Sequence, residues 1–499
     1  MTTYQPRTQP MKHQIAAMEA AYRAPAHPCS SDSFAYLMDM GTGKSKVILD
    51  EWGAGELSGG PKDLLVLAPA GSYRNWFHDK SELQLSEINL HLSDDLRDRV
   101  VVNHWKSGSG KAHRDSLAEF LRVRDRPRAL FVNVEALSSV EACRELVTEY
   151  LSQDHSYFAV DESTVLRNPN SIRTEWISHL AEMADVRRIA TGLLTPRSPL
   201  DAWAQFNFLD WRILGRQNFY AFRARHAVMK KVELRSGPRA GRSVKLVVGY
   251  RNVEEIQERI APYSYRVMKE DCLDLKPKIY MTRDVEHTKE QARIYGDLRE
   301  KAQAMITSGV YVTVDMMLQM LIRLHQVNLG FVVDEDGNIH DIPERRTDEI
   351  VKIVDEASKK IIIWTPFQHR IRMLDVKLRK EFGEKSVALF YGANRGTRHE
   401  DERRFLGDPD CKIIIASQPS GMRGNTWIPG TTVIYDSNTF DLEQRQQSED
   451  RPHRRGQTES VTIFDLITDG TVDLRFVQAM RQKYDMATTI TGEKMREWI

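Results

Sequence analysis

Cysteine is scarce in this sequence: four in 499 residues, Cys29, Cys143, Cys272 and Cys411, with no CxxC pair. That spacing argues against a zinc ribbon or a disulfide framework and for a reducing interior. Long apolar runs are missing too, and a membrane span needs roughly 18 such residues, so no membrane partner is expected. The opening Met-Thr-Thr-Tyr-Gln lacks the basic segment followed by an apolar one that marks a signal peptide. The expected address is therefore cytoplasmic. Net charge is nearly absent, with 71 Lys and Arg against 70 Asp and Glu. The whole-molecule field says little about partners, and any polyanion footprint must be a local patch. There is no short repeat, no low-complexity tract and no metal-ligand spacing among the histidines.

What is present is an alternation of short β-branched runs and helical stretches. A chain of 499 residues allows two or three domains. Strands are expected at 63–68, 99–104, 129–134, 157–160 and 187–190, and again at 360–365, 386–391, 412–417, 432–436 and 460–466. Runs such as "LLVLAP", "KIIIW" and "KIIIA" are almost unbroken apolar stretches, the mark of central parallel strands covered on both faces. The expectation is two doubly wound α/β domains, at 1–210 and 346–499. Between them, 211–345 reads as a basic hairpin and helical insert. Its Met-rich stretch "VDMMLQMLIRLHQ" is expected to be ordinary core packing, and "DEDGN" at 334–338 is a turn signal.

One segment is strongly biased. From Trp211 to Arg251 there are eleven Lys or Arg and a single acid, Glu233. Phe219, Tyr220 and Phe222 are interleaved with the charges. A solvated surface is the bland alternative, but a ten-charge excess in a nearly neutral chain favours a polyanion contact. The candidate contacts are Arg223, Arg225, Lys230, Lys231, Arg239 and Arg242, in and around a hairpin centred on Ser-Gly-Pro.

"MDMGTGKSKVILD" (38–50) supplies an anion site. Gly41 and Gly43 let backbone amides approach phosphate oxygens, and Met40 and Thr42 complete the turn. Lys44 can neutralise β and γ phosphates, Ser45 can hold Mg²⁺, and the following helix points its positive end at the phosphates. The long GxxxxGK[ST] form is not met, because Met38 stands at its first glycine; the shorter GxGK[ST] form is. Downstream, "YFAVDEST" ends an apolar strand in adjacent carboxylates. Asp161 is placed to hold Mg²⁺ through water, and Glu162 to polarise an attacking water. A late cationic knot, "DRPHRRGQ" (450–457), offers guanidiniums that could stabilise charge building on a γ-phosphoryl group. In it, His453 is expected to have a structural hydrogen-bonding role.

In this order the motifs resemble superfamily-two helicases and, within them, the Swi/Snf-like DNA translocases. "QPMKHQ" with Gln14 resembles the upstream adenine-reading glutamine, "MGTGKS" the first motif, and "LLVLAPAGSYRNW" and "FVNVEAL" the segments after it. "VDESTVLRNPNS" resembles the DExH box, and "RVMKEDCLDLKPK" the basic segment linking the lobes. "IIIWTPFQH", "SGMRGNTW" and "QQSEDRPHRRGQTESVTIFDLI" resemble the second-lobe motifs. By that match Arg451 and Arg454 take arginine-finger roles and Gln447 lines the cleft. There are two departures. Thr164 stands at the DExH histidine, and Leu193 and Leu194 occupy the Thr-Pro positions of the family's T-G-T-P.

The resemblance implies two tandem RecA-like lobes, with ATP and Mg²⁺ as cofactors and double-stranded or branched DNA as partner. It also implies a monomeric motor of the compact virus-encoded or bacterial type, in the host cytoplasm if virus-encoded, with a role in recombination or repair. Two alternatives stay open: a strand-separating DNA or RNA helicase, and a nucleotide-switched DNA-binding scaffold with weak hydrolysis. Retention of Glu162, Arg451 and Arg454 argues against a pure switch, which needs no transition-state stabilisation.

Overall fold

The apolar runs form the strands of two parallel sheets in a computed structural model that describes residues 4–25, 32–79, 85–233, 243–307, 314–421 and 426–491. In chain order the strands of the first sheet are β1 (Asp32–Met38), β2 (Asp63–Ala68), β3 (Val101–His104), β4 (Arg128–Asn133), β5 (Ser156–Asp161) and β6 (Val186–Thr191). A separate two-stranded sheet of β7 (Ala227–Glu233) and β8 (Ser243–Tyr250) follows, then β9 (Ser264–Val267), the last strand of the first sheet. The order is β3-β4-β2-β5-β6-β1-β9, and every pairing is parallel. All six residues of β2 are buried, as an unbroken apolar run predicts.

The second sheet begins with β10 (Ile279–Asp284). A small antiparallel pair, β11 (Phe331–Val333) and β12 (Ile339–Asp341), closes on the Asp-Glu-Asp-Gly-Asn turn. Then come β13 (Lys360–Trp364), β14 (Val387–Phe390), β15 (Ile413–Ala416), β16 (Gly430–Tyr435) and β17 (Thr462–Ile467). The sheet order is β10-β17-β16-β13-β15-β14, again parallel throughout. These are the two tandem doubly wound α/β lobes expected of RecA-like domains, and each of the ten expected strands is present.

The chain divides into two compact units. One runs through Val228 and resumes over Tyr250–Asp274; the other holds Met229–Gly249 and Leu275–Asp485. Residues 211–345 are shared out: β9 completes the first sheet, while β10 and the helices Lys289–Thr307 and Val314–Asn328 fall in the second unit. Among the described side chains of the latter helix, Leu324 and Val327 are buried, while Leu318 and Ile322 are exposed. Core packing accounts for its C-terminal end, and the side chains of 314, 315 and 317 lie outside those described.

Each unit also buries charge. In the first, the helix after the glycine turn, α1 (Lys44–Leu57), carries Glu51. Its carboxylate accepts from Tyr36 on β1 (2.7 Å), Tyr157 on β5 (2.5 Å) and Arg188 on β6 (2.5 Å). A fully buried Ile or Leu contributes roughly 1.5–3 kcal/mol, whereas a buried ion pair comes close to breaking even against its desolvation cost. Stability is thus the work of the apolar core, and the Glu51 network fixes where the helix sits on the sheet.

Candidate nucleotide site

β1 ends at Met38 and the chain enters a turn that only glycine permits at two points. Gly41 has φ of 82° and Gly43 of 89°, both left-handed. A Cβ at Gly43 would also lie 2.2 Å from the side-chain nitrogen of Gln14. The constraint is therefore steric as well as torsional. Gln14 is held there by two bonds: its Oε1 accepts from Met11 N (2.9 Å) and its Nε2 donates to Thr42 O (3.0 Å). His13 Nε2 reaches the same carbonyl at 2.9 Å. Thr42 Oγ1 donates back to Asp39 O (2.7 Å), closing the turn. Lys44, buried at the start of α1, donates to Met38 O (3.2 Å). Its amine thus lies across the turn whose amides would cradle phosphates. Ser45 is half-buried in the first turn of α1.

The carboxylates stand at the end of β5. Asp161 accepts from Trp76 Nε1 (3.2 Å) and from the amide of Glu162 (3.0 Å). Burial, reinforced by the neighbouring Glu162 charge, raises its carboxyl to about 7, while Lys44 and the Trp76 bond pull the other way. A divalent cation beside Asp161 would favour the ionised form, so this donor set fits Mg²⁺. Among the described residues no group of three His, Cys, Asp or Glu side chains could hold a metal by itself. Glu162 has φ of 49° and ψ of 58°. Only Glu162 and Asn252 among the described non-glycine residues adopt positive φ, and strain of this kind collects where direction matters more than comfort.

Several contributors come from outside the glycine turn and the Asp-Glu pair. Trp76 comes from the segment after β2. Asp39 accepts from Arg266 Nη2 (2.8 Å) and the Lys269 amide (3.0 Å), tying the entry of the glycine turn to β9 and the segment after it. Arg266 also donates to Gly192 O (2.9 Å). Thr164 is buried, and Leu193 is closed on Thr191 by a bond from its amide to the threonine hydroxyl (3.2 Å).

In the second unit the cationic turn follows the helix Leu442–Glu449, capped by Asp441. Arg445 anchors that helix. It pairs with Asp465 (2.5 Å) and Glu449 (2.6 Å) and lies 3.5 Å from the Tyr435 ring centroid. Glu449 also accepts from Lys278 (2.9 Å) and Tyr280 (2.8 Å). His453 is buried and bonds Lys276 O at 2.8 Å, the structural role expected of it. Arg451 is buried, with Nε donating to Gln447 O (2.9 Å), and Arg454 is half-buried and donates to Thr426 Oγ1 (2.8 Å). Gln447 donates to Glu443 (3.2 Å).

The basic segment is less one-sided in space than in sequence. Arg225 is paired with Glu255 at 2.8 Å, on the helix Val253–Ile260 that follows. Arg223 lies 5.0 Å from the Tyr220 ring centroid. Lys230 and Lys231 are exposed on β7. Arg239 and Arg242 lie outside the described residues.

With this geometry in hand, a sequence profile of the SNF2-related domain matches residues 11–330. The chain belongs to the SNF2-related domain family. It is a nucleotide-binding ATPase core of the Swi/Snf kind, and ATP is its nucleotide. The TATA-binding protein-associated factor mot1 of Aspergillus fumigatus is 23% identical over 416 residues, covering 74% of this chain and 22% of that protein. The human TATA-binding protein-associated factor 172 is 20% identical over 415 residues, 72% of this chain and 22% of its own length. The human DNA annealing helicase and endonuclease ZRANB3 is 21% identical over 355 residues, 70% of this chain and 31% of its own. The chain thus spans about a fifth to a third of the length of these curated relatives. Among solved structures, the Sulfolobus solfataricus SWI2/SNF2 ATPase core in complex with dsDNA aligns over 99% of both chains, with 18% identity and a TM-score of 0.42. No helix among the described residues is long and apolar enough to cross a membrane.

Proposed function

We propose that this protein is a DNA-dependent ATPase that translocates on duplex or branched DNA, acting as a monomer in the cytoplasm, of the compact virus-encoded or bacterial type, in recombination or repair. The observation that carries the reading is the pairing of a glycine turn bearing Lys44 with a strained strand end bearing Asp161 and Glu162. In the mechanism the amides of 41–45 and the Lys44 amine take up phosphate charge, and Glu162 orients and polarises the attacking water. Ser45 and Asp161 would hold Mg²⁺, which supplies further charge neutralisation at the phosphates when bound. Arg451 and Arg454 supply transition-state charge from the second lobe, and Gln447 lines the cleft. Gln14 reads the adenine edge with the hydrogen-bonding capacity left on its amide. Arg223, Lys230 and Lys231, with Arg239 and Arg242, contact DNA phosphates, where each cation bound releases counterions; Arg225 is committed to Glu255 and contributes less.

The test is the steady-state ATPase rate with no nucleic acid, duplex, single strand, fork, four-way junction and RNA. Duplex or branched DNA is expected to raise the rate by about tenfold or more. Equal rates across all six conditions contradict the proposal, and stimulation by single strands or RNA alone favours a strand-separating helicase.

A further inference from the structure

The two departures from the family pattern lie close together in the chain's chemistry. Thr164 follows the Glu162 turn where a histidine was expected, and Leu193 and Leu194 replace a Thr-Pro pair in the loop after β6. The hydrolytic turn and that loop are joined through buried side-chain bonds. One buried path is present. Ser163, the residue after Glu162, donates from Oγ to Gln205 Oε1 at 2.6 Å. Gln205 Nε2 donates in turn to Leu194 O (2.7 Å) and Asp201 O (2.9 Å). Ser163 and Gln205 are both fully buried, at 0% exposure, so these bonds lie away from bulk solvent and leaving one partner unpaired is costly.

The amide cannot turn over. With its oxygen in place of its nitrogen, Gln205 would face two carbonyl oxygens with an acceptor. The far end of the path is rigid as well. Asp201 caps the loop by accepting from Arg197 N (2.8 Å) and Ser198 N (3.1 Å), and Thr191 closes on Leu193. The same loop receives Arg266 at Gly192 O, and Arg266 also pairs with Asp39 ahead of the glycine turn. One rigid loop therefore touches both halves of the nucleotide site.

We infer that Gln205 is a positioning residue: through Ser163 it locks the turn bearing Glu162 to the 191–201 loop, replacing the link that the family pattern makes by other side chains. The inference rests on the proposed ATPase activity. The test compares the full chain with Gln205→Met, which keeps volume and loses every bond, with Ser163→Ala, and with the double variant. kcat and KM for ATP are measured with and without duplex DNA, together with the melting temperature. Duplex-stimulated kcat should fall about tenfold to a hundredfold in each single variant while KM stays within about threefold. The double variant should be no worse than the more impaired single one, because both changes break one path.

Stimulated kcat within about twofold of wild type in Ser163→Ala overturns the inference even if Gln205→Met does not fold. Losses that multiply in the double variant overturn it too, since independent packing defects behave that way. A wild-type rate indifferent to all DNA defeats the proposed DNA dependence instead, and the Gln205 inference is then decided on the DNA-free kcat of the same variants.

Discussion

The two units build their chemical ends differently. In the first, direction comes from the backbone: positive φ at Gly41, Gly43 and Glu162 aims the amides and the carboxylate. In the second, the arginine turn is held by buried side-chain charge, with Arg445, Asp465, Glu449 and Lys278 in one network behind it. A backbone-built site can lose a reacting side chain and keep its shape. A charge-built site cannot lose a member without leaving another ion stranded in a low dielectric.

That contrast can be broken at several points. Glu162→Gln, or Lys44→Ala, should lower the hydrolysis rate by about a thousandfold and leave the urea midpoint near that of wild type; a collapsed midpoint would show that the carboxylate holds the fold. Asp465→Asn should do the reverse. It strands part of the Arg445 charge, and equilibrium unfolding should register a loss of about 3–5 kcal/mol; an unchanged midpoint would put the turn's support elsewhere.

A smaller effect is expected at His325, which bonds Ser437 Oγ at 2.5 Å in the second unit. Burial holds its pKa down at about 4; Arg346 pushes the same way, while Asp473 and Asp436 oppose it. The unfolded chain takes up a proton there below about 6.5 and the folded one does not, so stability falls as pH drops from about 6.5 to about 4, by up to about 3 kcal/mol. Urea midpoints of wild type and His325→Asn should converge with acid across that window, and parallel curves would contradict the assignment.

Much of this architecture was legible because central parallel strands must be apolar on both faces. "KIIIW" and "LLVLAP" could hardly be anything else. β1 (Asp32–Met38) was not read as a strand: its Phe-Ala-Tyr-Leu-Met run has no β-branched residue, and only pairing with β6 and β9 makes it one. β9 and β10 were absorbed into the insert because each is short and polar at several positions, and long-range pairing decides them.

The glycine turn and the Asp-Glu pair were readable because backbone-built sites leave residue-type signatures. Trp76 and Arg266 were readable as members of quoted motifs but not in partner, and Gln205 was not readable at all. Each reaches its partner over tens of residues, with no local spacing to betray it. His453 was readable in role but not in partner. The eleven-to-one charge count of the basic segment overstated its field, because the helix that follows supplies Glu255 to Arg225.

We propose that the turn at 41–45 grips the triphosphate and that Arg454 supplies a guanidinium at the moment of transfer. Single-turnover hydrolysis of ATP by Arg454→Ala, measured beside its ATP affinity, addresses this most directly. The rate should fall by about a thousandfold, while affinity stays within about threefold. A change confined to affinity, or no change in either, would contradict it.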